Sequence, residues 1–249
     1  MRPVKQETAG PLRRIYELLE AAYGYQGWWP LLSQAGLPGY DAEGYLVGRE
    51  WRATLTVSQR FEIVLGAILT QNTAWENARR ALIALRAEGL KGPTAILAAH
   101  PDRLAAIIRP SGYYNQKAMK LRSVSEFLRS GSYLARKVAP ARERLLSIWG
   151  IGEETVDSIL LYAFGVPVFV VDAYTRRLLA RLGMADERAS YASIQRLFED
   201  AIPPDTELLG EYHALIVRHG KAHCRKKPVC GGCPLRRRCR YPRDHSPES

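Results

Sequence analysis

Apolar positions recur along most of this chain at the three- and four-residue spacing of amphipathic helices. Leu12, Ile15, Leu18 and Leu19 form the first such stripe. Phe61, Val64, Leu65, Ile68 and Leu69 form a second, more apolar one, for which Ser58 is a suitable N-cap. The pattern continues as short helices over residues 78–86, 93–99, 101–108 and 115–128, with the turn signals GPT, HPD and PSG between them. Further on it predicts helices over 143–149, 153–164, 173–182, 191–201 and 206–220. Residues 166–171 are β-branched enough for a strand, but the run is short and Pro167 interrupts it. The expected fold class is therefore all-α. No internal repeat is evident, and only the tail HSPES has a disordered composition.

A chain of 249 residues with 47% hydrophobic content can build one large domain or two modest ones. Charge changes the picture more than size does. The net charge is +11 and the pI about 9.7, which favours a polyanionic partner. Nucleic acid is the first such partner to consider, although ribosomal and membrane-surface proteins share this charge. The N-terminal MRPVKQETAGPLRR has no apolar core, so a secretory signal is not expected. The most apolar stretch, 159–171, is too short for a bilayer span and is broken by Gly165 and Pro167. These features predict a cytoplasmic protein, nucleoid-associated in a prokaryote, without a membrane partner.

All four cysteines lie near the C-terminus, as Cys224-x5-Cys230-x2-Cys233-x5-Cys239. In a reducing compartment this grouping reads as a metal site, and four thiolates suit either zinc or a [4Fe–4S] cluster. Spacing does not separate the two. Either would be structural, because four protein ligands leave no open coordination position. Arg225, Lys226, Lys227, Arg236, Arg237, Arg238 and Arg240 surround the cysteines and form a loop able to grip phosphates.

The segment WGIGEETVD, residues 149–157, contains a Gly-x-Gly turn opening a helix, where bare N–H groups and the helix dipole favour an anion. Glu153 and Glu154 at the first helical positions oppose that reading, although both carboxylates also complement the dipole. The longer pattern LLSIWGIGEETVDSILLYAFGVPVFVVDAYTRRLL runs helix, Gly-x-Gly turn, helix, then Gly165, Pro167 and Asp172. It resembles the helix-hairpin-helix/Gly-Pro-Asp superfamily of DNA glycosylases, endonuclease III in particular, and the resemblance extends over residues 58–239.

The resemblance implies two helical domains, a six-helix barrel over 58–165 and a [4Fe–4S] domain made from 1–57 and 166–249, with the active site in the groove between. It assigns phosphate binding to the backbone of Gly150 and Gly152, catalysis to the carboxylate of Asp172, and the cluster to Cys224, Cys230, Cys233 and Cys239. The first cysteine gap is one residue shorter than usual in the family. Asp172 also suits an N-cap of the helix that follows, and the two roles are compatible. Bifunctional members carry a nucleophilic lysine two residues after the second hairpin glycine, and Glu154 holds that place here. A carboxylate cannot form an imine, so the chain resembles the monofunctional members. Lys221, near Cys224, is the amine to consider in its place, with contact to phosphate or packing beside the pocket as its expected role.

Two further segments match. ILTQNT places Gln71 where the family inserts a glutamine beside a flipped base, and SGYYNQKA places Tyr113 as the wedge in the opposite strand, with Asn115 and Lys117 on DNA. Ala74 replaces an acidic residue of endonuclease III, which argues against oxidised-pyrimidine specificity. Trp28, Trp29 and Pro30 resemble the pocket element of the 3-methyladenine DNA glycosylase III branch. Stacking on indole suits a cationic alkylated purine, and two tryptophans could equally fill a core. The expected protein is a monomeric, monofunctional DNA glycosylase that hydrolyses the N-glycosidic bond of a flipped alkylated purine in damaged double-stranded DNA; enzymes for oxidised pyrimidines, uracil or mismatched thymine, and a non-catalytic damage-binding module, are the alternatives.

Overall fold

A computed structural model describes residues 5–48, 55–129 and 138–241, with side chains described from residue 10 and, in the last stretch, from residue 141. In chain order the helices are α1 (Lys5–Tyr23), α2 (Val57–Leu69), α3 (Trp75–Ala87), α4 (Pro93–Ala98), α5 (Pro101–Ile107), α6 (Tyr114–Arg129), α7 (Val138–Leu146), α8 (Glu153–Ser158), α9 (Ala173–Leu182), α10 (Tyr191–Ala201) and α11 (Thr206–Ala222). The expected all-α class holds: there is no β-strand among the described residues. Nor is any helix among them long and apolar enough to cross a membrane.

The chain divides into two compact units. One is Met1–Trp28, Leu46–Arg49 and Pro167–Ser249; the other is Trp29–Tyr45 and Glu50–Val166. Residues 29–45, grouped with the termini in the sequence division, thus pack within the second unit.

That second unit is organised around α2, whose residues from Phe61 to Leu69 are all buried. A helix buried on every face belongs at the centre of a bundle. It packs on α3 and on the one-turn π-helical continuation of α8, Ile159–Ala163, while α4 and α5 pack on α6. The N-cap of α2 is Thr56 and not Ser58. Thr56 accepts a hydrogen bond from Gln59 N, and the Gln59 side chain accepts from Thr56 N, a reciprocal capping box. Within α2 the buried Glu62 accepts from Ser33 N at 3.0 Å and Arg86 at 3.2 Å, which ties residues 29–45 to this unit.

In the first unit α1 packs on α10 and α11, and α11 packs on α9. Leu12, Ile15 and Leu19 of α1 face the core. Tyr212 of α11 is fully buried and donates its hydroxyl to Leu12 O at 2.7 Å. Phe169 stacks on Phe198 with ring centroids 3.7 Å apart. The β-branched run that could have formed a strand is a lone extended segment here, with α10 side chains serving as partners. Gln195 Nε2 donates to Phe169 O, Phe169 N donates to Glu199, and Val171 N donates to Tyr191 OH. This satisfies buried backbone groups without a neighbouring strand, and it delivers the next residue, Asp172, to the head of α9.

Candidate active site

In the first unit the chemistry gathers around α9 and α11. Asp172 is the N-cap of α9, 8% exposed, with Oδ1 accepting from Thr175 N at 2.7 Å. Its other oxygen, Oδ2, faces Nε2 of the buried His213 at 3.6 Å, beyond direct hydrogen-bonding distance. Burial opposes ionisation of Asp172, yet the His213 imidazole and the Thr175 N–H outweigh it, and the carboxyl is held below its usual range. The positive end of α9 acts in the same direction. The result is a buried carboxylate that is charged at neutral pH, with one oxygen engaged by the helix and the other turned toward a histidine.

Trp28 is half-buried in the same unit, its indole edge-on to His213 with centroids 5.7 Å apart. Trp29 and Pro30 do not accompany it. They are buried in the second unit, where Trp29 is 7% exposed and packs against Trp75 and Tyr162, with centroids 5.9 and 5.5 Å away. Trp29 is thus a core residue with its faces covered, which corrects its expected place on substrate. Lys221, in the last turn of α11, has its pKa lowered by desolvation and by Arg218, with Asp172 acting the opposite way. It shares the electrostatic environment of the carboxylate.

The second unit carries the hairpin. Gly150 and Gly152 are exposed, and Gly152 caps α8. Glu153 lies 3.7 Å from Arg142, which also binds the fully buried Asp157 through two bonds of 2.7 and 3.0 Å. One of the two awkward carboxylates thus has a cation partner on α7. Gln71 is held against the hairpin: Nε2 donates to Thr155 Oγ1 at 2.8 Å and Gly150 O at 3.3 Å, while Oε1 accepts from Lys120 Nζ at 2.7 Å. The Lys120 ammonium also sits 5.8 Å from the centre of the exposed Trp149 ring. Of the predicted residues, Gln71 and Gly150 are therefore brought into contact.

Gly150 is confined to glycine by its backbone conformation. Its φ is +74°, and a Cβ would lie 2.4 Å from Lys120 Cε. Gly150→Ala should therefore displace Lys120, loosen Gln71 and weaken DNA binding about tenfold, as read by fluorescence anisotropy on a short duplex. Unchanged affinity would show that the turn does not contribute to binding.

Tyr113 is 64% exposed with φ of +47°, and Asn72, next to Gln71, has φ of +51°. Left-handed conformations at non-glycine residues are uncommon, and they concentrate where the chain presents a side chain for function. Asn115 is exposed at the start of α6. Lys117 is not available to DNA: it is 1% exposed, and its Nζ donates to Leu69 O at 2.8 Å and Ser111 O at 2.7 Å. Those carbonyls belong to the last residues of α2 and of the 3-10 turn Arg109–Ser111, so the ammonium acts as an internal cap.

Cys224, Cys230, Cys233 and Cys239 line one cavity with Leu178, Leu182 and other apolar side chains. Arg181 Nη1 is 3.2 Å from Cys224 Sγ, and Arg177 donates to Cys224 O. His219 links Tyr23 to this cavity, with Nδ1 2.9 Å from Tyr23 OH and Nε2 3.9 Å from Cys233 Sγ. Among the described residues no three His, Cys, Asp or Glu side chains close on a single ion position. Four thiols facing one apolar-walled cavity, with arginines alongside, are nonetheless a donor set that fits an anionic iron–thiolate cluster.

Sequence reasoning missed His213 and Glu211. The signal was present, since GEYHALIV sets two ionisable residues in a run otherwise fit for a core, where such residues are seldom buried without a partner.

Residues 65–204 match the HhH-GPD superfamily of base excision DNA repair proteins, and the chain belongs to that family. It is a DNA glycosylase of the base-excision type. A candidate DNA repair glycosylase of Methanocaldococcus jannaschii is 40% identical over 95% of this chain and 99% of its own length. The structure of 3-methyladenine DNA glycosylase (MagIII) from H. pylori, bound to 1,N6-ethenoadenine, superposes with a TM-score of 0.63 at 28% identity, covering 84% of this chain and 97% of that one. A non-covalent endonuclease III–DNA complex superposes with a TM-score of 0.70 at 22% identity, covering 95% and 97%, and shares the fold.

Proposed function

We propose that this glycosylase is monofunctional and releases an alkylated purine, of the 3-methyladenine kind, from damaged double-stranded DNA. The observation that carries the reading is Asp172, buried and ionised at the head of α9, in a chain whose hairpin offers Glu154 where the bifunctional relatives offer an amine. The reaction leaves positive charge on the sugar as the glycosidic bond breaks. A fixed carboxylate stabilises that oxocarbenium-like centre and orients water toward C1′, giving free base and an abasic site.

The substrate end follows. Trp28 stacks the flipped base, and a cationic purine gains most from an indole face. Such a base also leaves readily, so little proton donation to it is required. The H. pylori relative, crystallised with a modified purine, supports this class. Gln71 and Tyr113 occupy the gap in the duplex, and the Gly150 and Gly152 backbone with Asn115 contacts phosphate. Lys221 lies beside the pocket and does not act as a nucleophile. Cys224, Cys230, Cys233 and Cys239 would hold a [4Fe–4S] cluster whose contribution is to cross-link the basic loop. The enzyme works as a monomer in the cytoplasm or on the nucleoid.

The test is mass-spectrometric identification of bases released from methylated and from oxidised duplex DNA, with borohydride trapping in parallel. Alkylated purine release without a trapped adduct is expected. Release of oxidised pyrimidines, or a covalent adduct on abasic DNA, would overturn the assignment. Brown protein absorbing near about 400 nm is the expected sign of the cluster, and colourless zinc-bearing protein would contradict it.

A further inference from the structure

The loop that carries Trp28 is held from beneath by a buried carboxylate. Glu211 of α11 is 4% exposed, and its Oε1 accepts from Gln26 N at 2.5 Å while Oε2 accepts from Gly27 N at 3.3 Å. Both bonds cross more than 180 residues of sequence, so they are made only in the folded state. Gly27 has φ of +64°, and a Cβ there would lie 2.0 Å from Leu46 O. That carbonyl's own residue returns a hydrogen bond, with Leu46 N donating to Gly27 O at 3.1 Å. Gln26 closes the turn from the other side, its Nε2 donating to Tyr23 O and Gly24 O at the end of α1. A turn fixed in this way has little freedom, and the next residue is Trp28.

The same helix sets the other side of the site. His213 lies two residues beyond Glu211, packs against the Trp28 ring and faces Asp172. Two side chains from a single turn of α11 thus hold the Gln26–Gly27 turn and face the indole and the carboxylate. We propose that Glu211 is a positioning residue that sets substrate specificity by locking the Gln26–Gly27 turn, and with it the plane of the Trp28 indole on which the damaged purine stacks. The proposal rests on the assignment of Trp28 to the base pocket.

Burying a carboxylate costs free energy unless hydrogen bonds satisfy it. Two backbone N–H groups on one tight turn are a directional pair of donors, which a purely space-filling role would not require. An indole that swings freely would still stack a base, but without favouring one orientation of it.

The experiment compares Glu211→Ala, Glu211→Gln, Trp28→Ala and Glu211→Ala combined with Trp28→Ala. Affinity for free 3-methyladenine is read by calorimetry, and kcat and KM by release from methylated duplex. Glu211→Ala and Trp28→Ala should each weaken base binding about tenfold, with the double variant no weaker than Trp28→Ala alone, since contacting or coupled sites are not additive. Glu211→Gln keeps the shape and one acceptor oxygen, so it should fall between Ala and the native residue. It carries the test if Glu211→Ala does not fold, with the loss confined to KM and base affinity in protein that remains folded at the assay temperature. If Trp28→Ala weakens binding while the Glu211 variants do not, or if the two losses simply add, the positioning role is wrong and the pocket assignment stands. If Trp28→Ala leaves base binding intact, the pocket assignment fails and the positioning role fails with it.

Discussion

Asp172→Asn should lower base release about 1,000-fold or more while leaving DNA affinity within a factor of about two or three. The substitution isolates charge from structure. Asparagine ranks with aspartate as an N-cap, and its side-chain oxygen can still accept the 2.7 Å bond from Thr175 N. Size is unchanged beside His213, so α9 and its neighbours stay in place. Only the negative charge proposed to stabilise the developing cation is lost. Single-turnover release from methylated duplex, set beside anisotropy on an uncleavable duplex, measures the two quantities separately. Release within about tenfold of the native rate would exclude the carboxylate as the stabilising group.

The charge state of Asp172 also limits what it does. Burial works against ionisation, but His213 and the Thr175 N–H prevail and its pKa is depressed. A weakly basic carboxylate is poor at removing a proton and good at stabilising a cation. This matches the proposed alkylated purine, which needs little assistance to leave. Because the folded pKa lies below the unfolded value near about 4, the ionised form contributes stability above that pH and loses it as pH falls through the folded pKa. The stability difference between the native enzyme and Asp172→Asn should thus be constant above about pH 5 and close below about pH 4. Protonation of Asp172 should not limit turnover at pH 5.

Local chemistry was legible in the sequence to the extent that it is local. The two hairpin glycines, the aspartate at a helix head and the cysteine cluster are each defined by short spacings, and apolar periodicity marked α2 and α9–α11 closely. Ser58 was a reasonable cap by residue type, but Thr56 wins because Gln59, three residues on, completes the reciprocal pair. Helix α7 begins at Val138, five residues ahead of the expected start. What no spacing could show are pairings across the fold. Glu211 meets Gln26 and Gly27, and His213 meets Asp172, only once α1, α9 and α11 pack together. Trp28 and Trp29, adjacent in sequence, part company because their rings enter different surroundings: one beside His213, the other among Trp75 and Tyr162.

Lys117 is the sharpest case, because its type and neighbourhood read as a phosphate contact and its structure is an internal cap. Lys117→Met should cost about 3 kcal/mol of stability, since two buried carbonyls lose a charged donor at about 1–3 kcal/mol each, and some of that returns through water or relaxation. For a chain of this size the melting temperature should fall by roughly 10 °C. Desolvation and the nearby Lys120 push the Lys117 pKa down to about 8. The unfolded chain, with a lysine pKa near about 10.4, then holds the extra proton between the two values, so this group makes stability rise with pH across that window. Lys117→Met should remove that rise, which denaturation at pH 7.5 and pH 9.5 would measure. DNA binding supplies the decisive contrast: a lysine on phosphate contributes about one unit to the slope of log K against log salt. At a temperature where the variant remains folded, its slope should equal that of the native protein. A slope reduced by about one unit would place the ammonium on DNA after all and refute the capping role.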